Sequence, residues 1–323
     1  MGIALGPNQY GKAEVRVVTV DRSSARHLLR DLNVSSVLRG DFTAVHLDGD
    51  NGHVLATDTQ KNTVYAFARD GIGQIEEFGL RLARHFAGAY DWLTGARIEI
   101  EEYGWDRVMV DGSAHDHAFS RTGGEVRSTV VTVDGPDAYV VSGLTGMVLL
   151  KTTESGFAGF PRDRYTTLPE TDDRILATAV TARWRYARGT SAAGSDQAQV
   201  DYATAHASIR STLVESFAVG YSSALQQTLY AMGEAVLRSH PQVVEIRLSL
   251  PNKHHFLSDL TPFGLDNPGA VYFAADRPYG LIEGSVVRDD VPAADIAWRD
   301  ARLLLTPGEG GRAPPRLWAS PPG

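Results

Sequence analysis

The densest group of chemically capable side chains in the sequence is Asn252-Lys-His-His255. It follows Val244-Glu-Ile-Arg-Leu-Ser-Leu250, whose apolar and polar residues alternate as in a half-buried strand. Such a polar run is ill-suited to a core, and functional residues often sit on loops held by a rigid element. An Asn amide both donates and accepts, and a His changes charge near neutral pH. A polar turn with a surface histidine pair accounts for the same residues equally well. His115 and His117 form a second candidate, but His-x-His supplies only part of a catalytic zinc site, which needs about three protein ligands. No cysteine is present and no third histidine is evident, so the pair reads as structural, beside a turn. Trp105-Asp-Arg107 and Arg121 carry no assignment.

The 323 residues allow one large domain or two ordinary ones, and 43% hydrophobic with 22% charged residues is an ordinary globular balance. A net charge of -8 argues against a broad nucleic-acid-binding face and disfavours anionic membranes. The lack of cysteine removes disulfides, thiolate metal sites and thiol nucleophiles together. No apolar run approaches the roughly 20 residues that span a bilayer. The first ten residues are too few and too polar for a signal peptide, and the Ser-Pro-Pro-Gly323 ending is no peroxisomal address. A cytoplasmic protein is expected.

Strands are expected at Val15–Val20 and Phe42–Leu47, with a loop around Leu32–Gly40 between them. Thr57 is expected to cap a helix with Asp58 in its first turn. Ile75, Phe78, Gly79, Leu82, Ala83 and Phe86 form the apolar face of a second helix. Strands follow at Arg97–Tyr103, Arg127–Val133, Ala138–Ser142 and Met147–Leu150. The second half repeats this order: a strand at Val180–Tyr186, helices at Tyr202–Val219 and Leu225–Leu237, then strands at Val244–Leu250, Ala270–Ala274 and Leu281–Val287. Gly189–Gln199 reads as a loop or hairpin tip, and Pro307–Gly323 as a disordered tail. The repeat predicts an α+β protein of two tandem units, each an antiparallel sheet with its helix pair on one face. Closure of the sheets by self-association would remove their edges.

Seven separated segments then carry a resemblance: Tyr10-Gly-Lys-Ala-Glu-Val-Arg16, Ala56-Thr-Asp-Thr-Gln-Lys-Asn-Thr63, His115-Asp-His-Ala-Phe-Ser120, Phe157-Ala-Gly-Phe-Pro-Arg-Asp163, Asp173-Arg-Ile-Leu176, Leu225-Gln-Gln-Thr228 and Leu250-Pro-Asn-Lys-His254. In this order they resemble the urate oxidase (uricase) family, cofactor-independent enzymes with a tunnelling fold (T-fold). The resemblance runs from Tyr10 to about Arg288. It implies T-fold units at residues 1–143 and 144–300, with 301–323 as the tail. It also implies a homotetramer whose sheets close around a channel, and urate, dioxygen and water as reactants giving 5-hydroxyisourate and hydrogen peroxide.

Carried over residue by residue, the resemblance gives Phe157 as a platform for the flat purine and Arg174 as a planar clamp on its edge. Their isolated readings are a core aromatic and a surface ion pair with Asp172 or Asp173. Gln226 would match one urate edge with its amide, beside the local decoy Gln227; Leu225 and Asp58 would offer backbone N–H groups. Lys12, Thr57 and His254 resemble the family's proton relay, and Asn252 would hold dioxygen and then water above the ring. Removing a proton makes urate more electron-rich and so a better donor to dioxygen; a lysine serves as the base when burial or a cation lowers its pKa. Thr57 and Asp58 would come from a neighbouring subunit. No metal is expected. Two alternatives stay open: a metal-dependent pterin synthase or cyclohydrolase-type T-fold enzyme, and an inactive purine-binding scaffold. The Gly189–Gln199 stretch and the Pro-rich tail depart from the family pattern without touching the site residues.

Overall fold

The computed structural model describes residues 2–187, 200–275 and 277–298. The expected loop at Gly189–Gln199 and the tail lie outside the described residues. In chain order the elements are β1 (Tyr10–Asp21), β2 (Leu28–Gly40), α1 (Thr43–Leu47), α2 (Thr57–Arg69), α3 (Ile75–Ala87), β3 (Leu93–Glu102), β4 (Trp105–Val110), β5 (Ser113–Arg121), β6 (Val126–Asp134), β7 (Asp137–Lys151), β8 (Leu176–Tyr186), α4 (Tyr202–Ala218), α5 (Leu225–Ser239), β9 (Val243–Ser249), β10 (His255–Leu257), β11 (Tyr272–Ala274), β12 (Glu283–Val287) and α6 (Asp295–Trp298).

One eight-stranded antiparallel sheet runs β1-β2-β3-β6-β7-β8-β9-β12. The order strand, strand, helix, helix, strand, strand occurs twice, as β1-β2-α2-α3-β3-β6 and β7-β8-α4-α5-β9-β12. Residues 143 and 144 both lie inside β7, which pairs with β6 on one side and β8 on the other. A single core joins the helix faces to the sheet: Phe78, Leu82 and Phe86 from α3 and Met232 and Val236 from α5 meet Leu32, Ile98, Trp184 and Ile246. Each such fully buried side chain contributes about 2 kcal/mol relative to exposure. On the opposite sheet face, α6 lays Ala297 and Trp298 over Val130, Tyr139 and Val141.

Several sequence expectations are corrected. Leu32–Gly40 belongs to strand β2, because Leu32, Val34, Ser36 and Leu38 alternate inward; the polar Ser36 masks that period. Phe42–Leu47 holds the short helix α1 instead of a strand. There the Asp41 carboxylate accepts from the Thr43 N–H (3.1 Å) and turns the chain, while Phe42 packs edge-on against Tyr10. Ala138–Ser142 and Met147–Leu150 are one strand with a register shift between them. The hairpin β4–β5 was not anticipated, although Asp111-Gly112 at its tip, both with positive φ, is a hairpin turn pair. The stretch around Tyr272 pairs with β10 and stays outside the main sheet.

Where the two halves meet, His206 of α4 rests against Trp184 (5.6 Å between centroids). Burial, with help from the Arg127 charge, pulls its pKa from 6.5 to about 4. The unfolded chain therefore binds a proton that the folded chain refuses between those values. The stability tied to neutral His206 is present above pH 6.5 and is lost as pH falls toward about 4, by about 3 kcal/mol in all. Urea midpoints measured at neutral and acid pH should show this slope, and His206→Leu should flatten it. An unchanged slope in the variant would refute the assignment.

Candidate functional site

Leu250 ends the β9 arm, and the chain beyond it is laid against two neighbours. The Asn252 N–H donates to the Gly280 carbonyl and the Lys253 N–H to the Ala177 carbonyl, each at 2.8 Å. These bonds fix the backbone of the Asn252–His255 run while no protein group among the described residues engages the Asn252 side-chain amide. The His254 ring stacks on Phe256 (5.7 Å). Burial first, then the charges of Arg174 and His255, holds its pKa below the usual imidazole value, so it is neutral at pH 7.

Arg174 enters the same region just before β8. Its guanidinium lies 5.3 Å from the Phe157 ring centroid, and its buried Nε has no hydrogen-bond partner. An ion pair with the adjacent aspartates, the isolated reading of this residue, does not form: Asp173 accepts instead from the Thr153 hydroxyl (2.9 Å), and the Asp172 carbonyl accepts from Tyr221 (2.6 Å). Phe157 is half-buried rather than a core aromatic. Its backbone exchanges bonds with Thr171 (2.7 and 3.1 Å) and its ring stacks on Phe160 (4.9 Å). A side chain at Gly156 would meet the Tyr221 hydroxyl at 2.1 Å, so only glycine lets this loop lie so close.

The same loop is tied to the start of α5, since the Gly156 N–H donates to the Ser222 carbonyl (2.9 Å) and Thr228 donates to the Ser222 hydroxyl (2.7 Å). The residue before α5 is Ala224, and no side chain caps the helix. Its first N–H groups, including those of Leu225 and Gln226, therefore have no partner within the helix and favour an anion. The structure separates Gln226 from its decoy: Gln227 accepts from the Ser223 N–H (2.9 Å), while the Gln226 amide is exposed and unengaged among the described residues.

Lys12, Thr57 and Asp58 stand apart from this group. Lys12 on β1 pairs with Ser36 on β2; cross-strand partners share a sheet face, and Ser36 faces α2. Thr57 is the first helical residue of α2 and not its cap, which is Ala56, again without a side-chain cap bond. The hydroxyl of Thr57 is thus left for other work. The Asp58 carboxylate bonds Lys61 and Asn62 and is held below the usual carboxylate range, by Lys61 first and with a smaller effect of Lys12. β1 and β8 are five strand spacings apart in the sheet, about 24 Å at ~4.8 Å per spacing. One chain therefore holds the candidate residues as two separate groups: Phe157, Arg174, Leu225, Gln226, Asn252 and His254 in one, Lys12, Thr57 and Asp58 in the other. An open hollow of about 600 Å³, lined by Glu102, Glu125, Arg127 and Arg210 among others, contains none of them.

His115 and His117 sit on β5 with the ring of His27 5.7 Å from His117, a neighbour invisible in sequence spacing. His115 Nδ1 accepts from the His117 and Ala118 N–H groups (3.3 and 3.1 Å), bracing the irregular stretch of β5 between Ala114 and Phe119 rather than a turn. Among the described residues no three His, Asp or Glu side chains are arranged to hold a metal ion. Sequence reasoning missed Tyr10 and Gln60, both bonded to the Leu55 carbonyl ahead of Thr57.

The uricase family model matches residues 8–132 and 140–283. The chain belongs to the uricase family. Lys12, Thr57 and Asp58 fall in the first stretch, and the other candidate residues in the second. Uricase of Arthrobacter globiformis is 55% identical over 296 residues, covering 92% of this chain and 94% of the relative; its crystal structure superposes with a TM-score of 0.85 over 92% of this chain and 99% of that one. Uricase of Dictyostelium discoideum is 38% identical over 286 residues, 87% of this chain and 96% of the relative. Urate oxidase of Bacillus sp. TB-90, at 24% identity and a TM-score of 0.74 over 87% of this chain and all of that one, shares the fold. The α+β tunnelling fold, an antiparallel sheet with its two long helix pairs on one face, is that of uricases. No helix among the described residues is long and apolar enough to cross a membrane.

Proposed function

We propose that the protein is a urate oxidase, converting urate, dioxygen and water to 5-hydroxyisourate and hydrogen peroxide without a cofactor. The observation that carries this reading is the Arg174 guanidinium, partly buried, without a carboxylate partner and poised over Phe157. A planar anionic purine would satisfy it: the ring on Phe157, adjacent acceptors on the guanidinium fork, and the remaining edge on Gln226 and the N–H groups opening α5. Asn252 would hold dioxygen, then the attacking water. Two electrons pass from urate to dioxygen, which takes two protons to become peroxide. The oxygen of water ends on the purine ring.

Lys12 and Thr57 would complete the site from a second subunit, with Asp58 adding an N–H donor. His254, neutral at pH 7, can accept a proton. The kcat profile is therefore expected to fall on the acid side through a pKa below the usual imidazole value, as His254 becomes charged. An acid limb centred above that value would exclude His254 from this role.

A homotetramer is the assembly we infer. The β10–β11 hairpin beside His254 exposes Phe256, Phe263 and Phe273, the last two at 74% and 64%, a patch that favours association. We further read the chain as two T-fold units sharing β7, and its compartment as the cytoplasm.

The decisive test follows oxygen uptake and urate loss together, with a strong chelator present. Equal consumption of both with peroxide formed is expected. Loss of activity on chelation would favour a metal-dependent T-fold enzyme, and urate binding without consumption would leave an inactive purine-binding scaffold.

A further inference from the structure

We propose that Gln60 is a positioning residue for the Lys12–Thr57 pair, an inference that rests on the urate oxidase reading. Gln60 lies on the first turn of α2 and is fully buried. A helix position facing a sheet is ordinarily apolar, yet here both ends of an amide are engaged. Its Oε1 accepts from the Ser36 hydroxyl at 2.8 Å and its Nε2 donates to the Leu55 carbonyl at 3.2 Å.

The two partners give these bonds their meaning. Ser36 is the cross-strand partner of Lys12. Leu55 precedes Ala56 and Thr57, where the helix begins without a side-chain cap. One amide thus joins the strand position of the lysine to the backbone that delivers the threonine. A second bond works in parallel: Tyr10, on the same face of β1 as Lys12, donates to the same Leu55 carbonyl at 3.1 Å. The strands beneath are held close, since a side chain at Gly11 would meet the Ser36 carbonyl at 1.8 Å. An apolar side chain of the same volume would fill the space under α2 but would not fix the height of Thr57 above Lys12. Proton transfer needs the two heteroatoms within hydrogen-bond reach, and a displacement of ~1 Å can cost about 10²-fold in rate.

The test compares Gln60→Met in two backgrounds. In the otherwise native chain, kcat should fall about 10- to 100-fold with KM changed less than about threefold. In a Lys12→Ala chain, the same substitution should change the residual rate less than about twofold, because both changes disable one transfer. Equal losses in the two backgrounds would mean a merely structural role and overturn the inference. Ser36→Ala removes one of the two bonds without adding volume; it should give the same pattern at smaller amplitude, and it stands in if Gln60→Met does not fold. A native chain that fails to oxidise urate would overturn the functional reading itself, an outcome read without either variant.

Discussion

Co-expression of Lys12→Ala and Arg174→Ala chains is expected to restore about a quarter of native urate oxidation, although each variant alone is nearly inactive. Removing Arg174 takes a charged, bidentate hydrogen-bonding group from the substrate, which costs at least about 10²-fold in kcat/KM. Removing Lys12 takes the proposed base. If each site draws Arg174 from one subunit and Lys12 from another, random mixing leaves both native in about one site in four. The geometry behind this is the sheet: Lys12 on β1 and Arg174 at the start of β8 are five strand spacings apart, so no side chain bridges them within one subunit. Tagged hybrids purified at equal ratio and assayed by oxygen uptake measure it. Hybrids no more active than either parent would show that one chain supplies the whole site. For the same reason a separated monomer should be inactive.

Lys12→Ala alone should lower kcat by about 10²- to 10⁴-fold, the usual contribution of a positioned acid or base, while KM for urate stays within about threefold. The reason for the split is that, on the proposed reading, Arg174, Phe157 and Gln226 hold the purine and Lys12 does not. Anaerobic urate binding should persist in the variant, and a small primary amine added in solution should recover part of the rate. A variant with unchanged kcat, or one whose loss lies entirely in KM, would remove Lys12 from proton transfer. Because Asp58 already feels the lysine charge across the N-terminus of α2, Lys12→Met is a useful companion that keeps volume and discards charge.

Helices α3 and α5 were legible in the sequence because an apolar series, Ile75 to Phe86 on α3 and Leu225 to Val236 on α5, follows helical spacing. β2 was not, since its inward positions include Ser36, and Ser36 is polar for the sake of Gln60. Phe42–Leu47 misled in the other direction; its alternation is accidental, and a local carboxylate bond from Asp41 decides the turn. The candidate site residues came from family motifs, with the Asn252–His255 run standing out by itself. What spacing could not give was the unpaired state of Arg174, the different bonding of Gln226 and Gln227, or the buried bonds of Gln60, because each depends on what a distant segment does with its hydrogen bonds.

The continuity of β7 has a mechanical meaning. The family model meets the chain as two stretches, which invites the image of two beads on a string. β7 bonds β6 through Asp137–Thr145 and β8 through Val141–Lys151, the two overlapping at Val141–Leu144, so the halves share a beam. Splitting the gene at the midpoint would strip one half of a strand and leave raw hydrogen-bonding edges on both, which invite aggregation. The intact beam instead sets the span between Lys12 and Arg174, and any change that bends β7 would shift both groups of candidate residues at once.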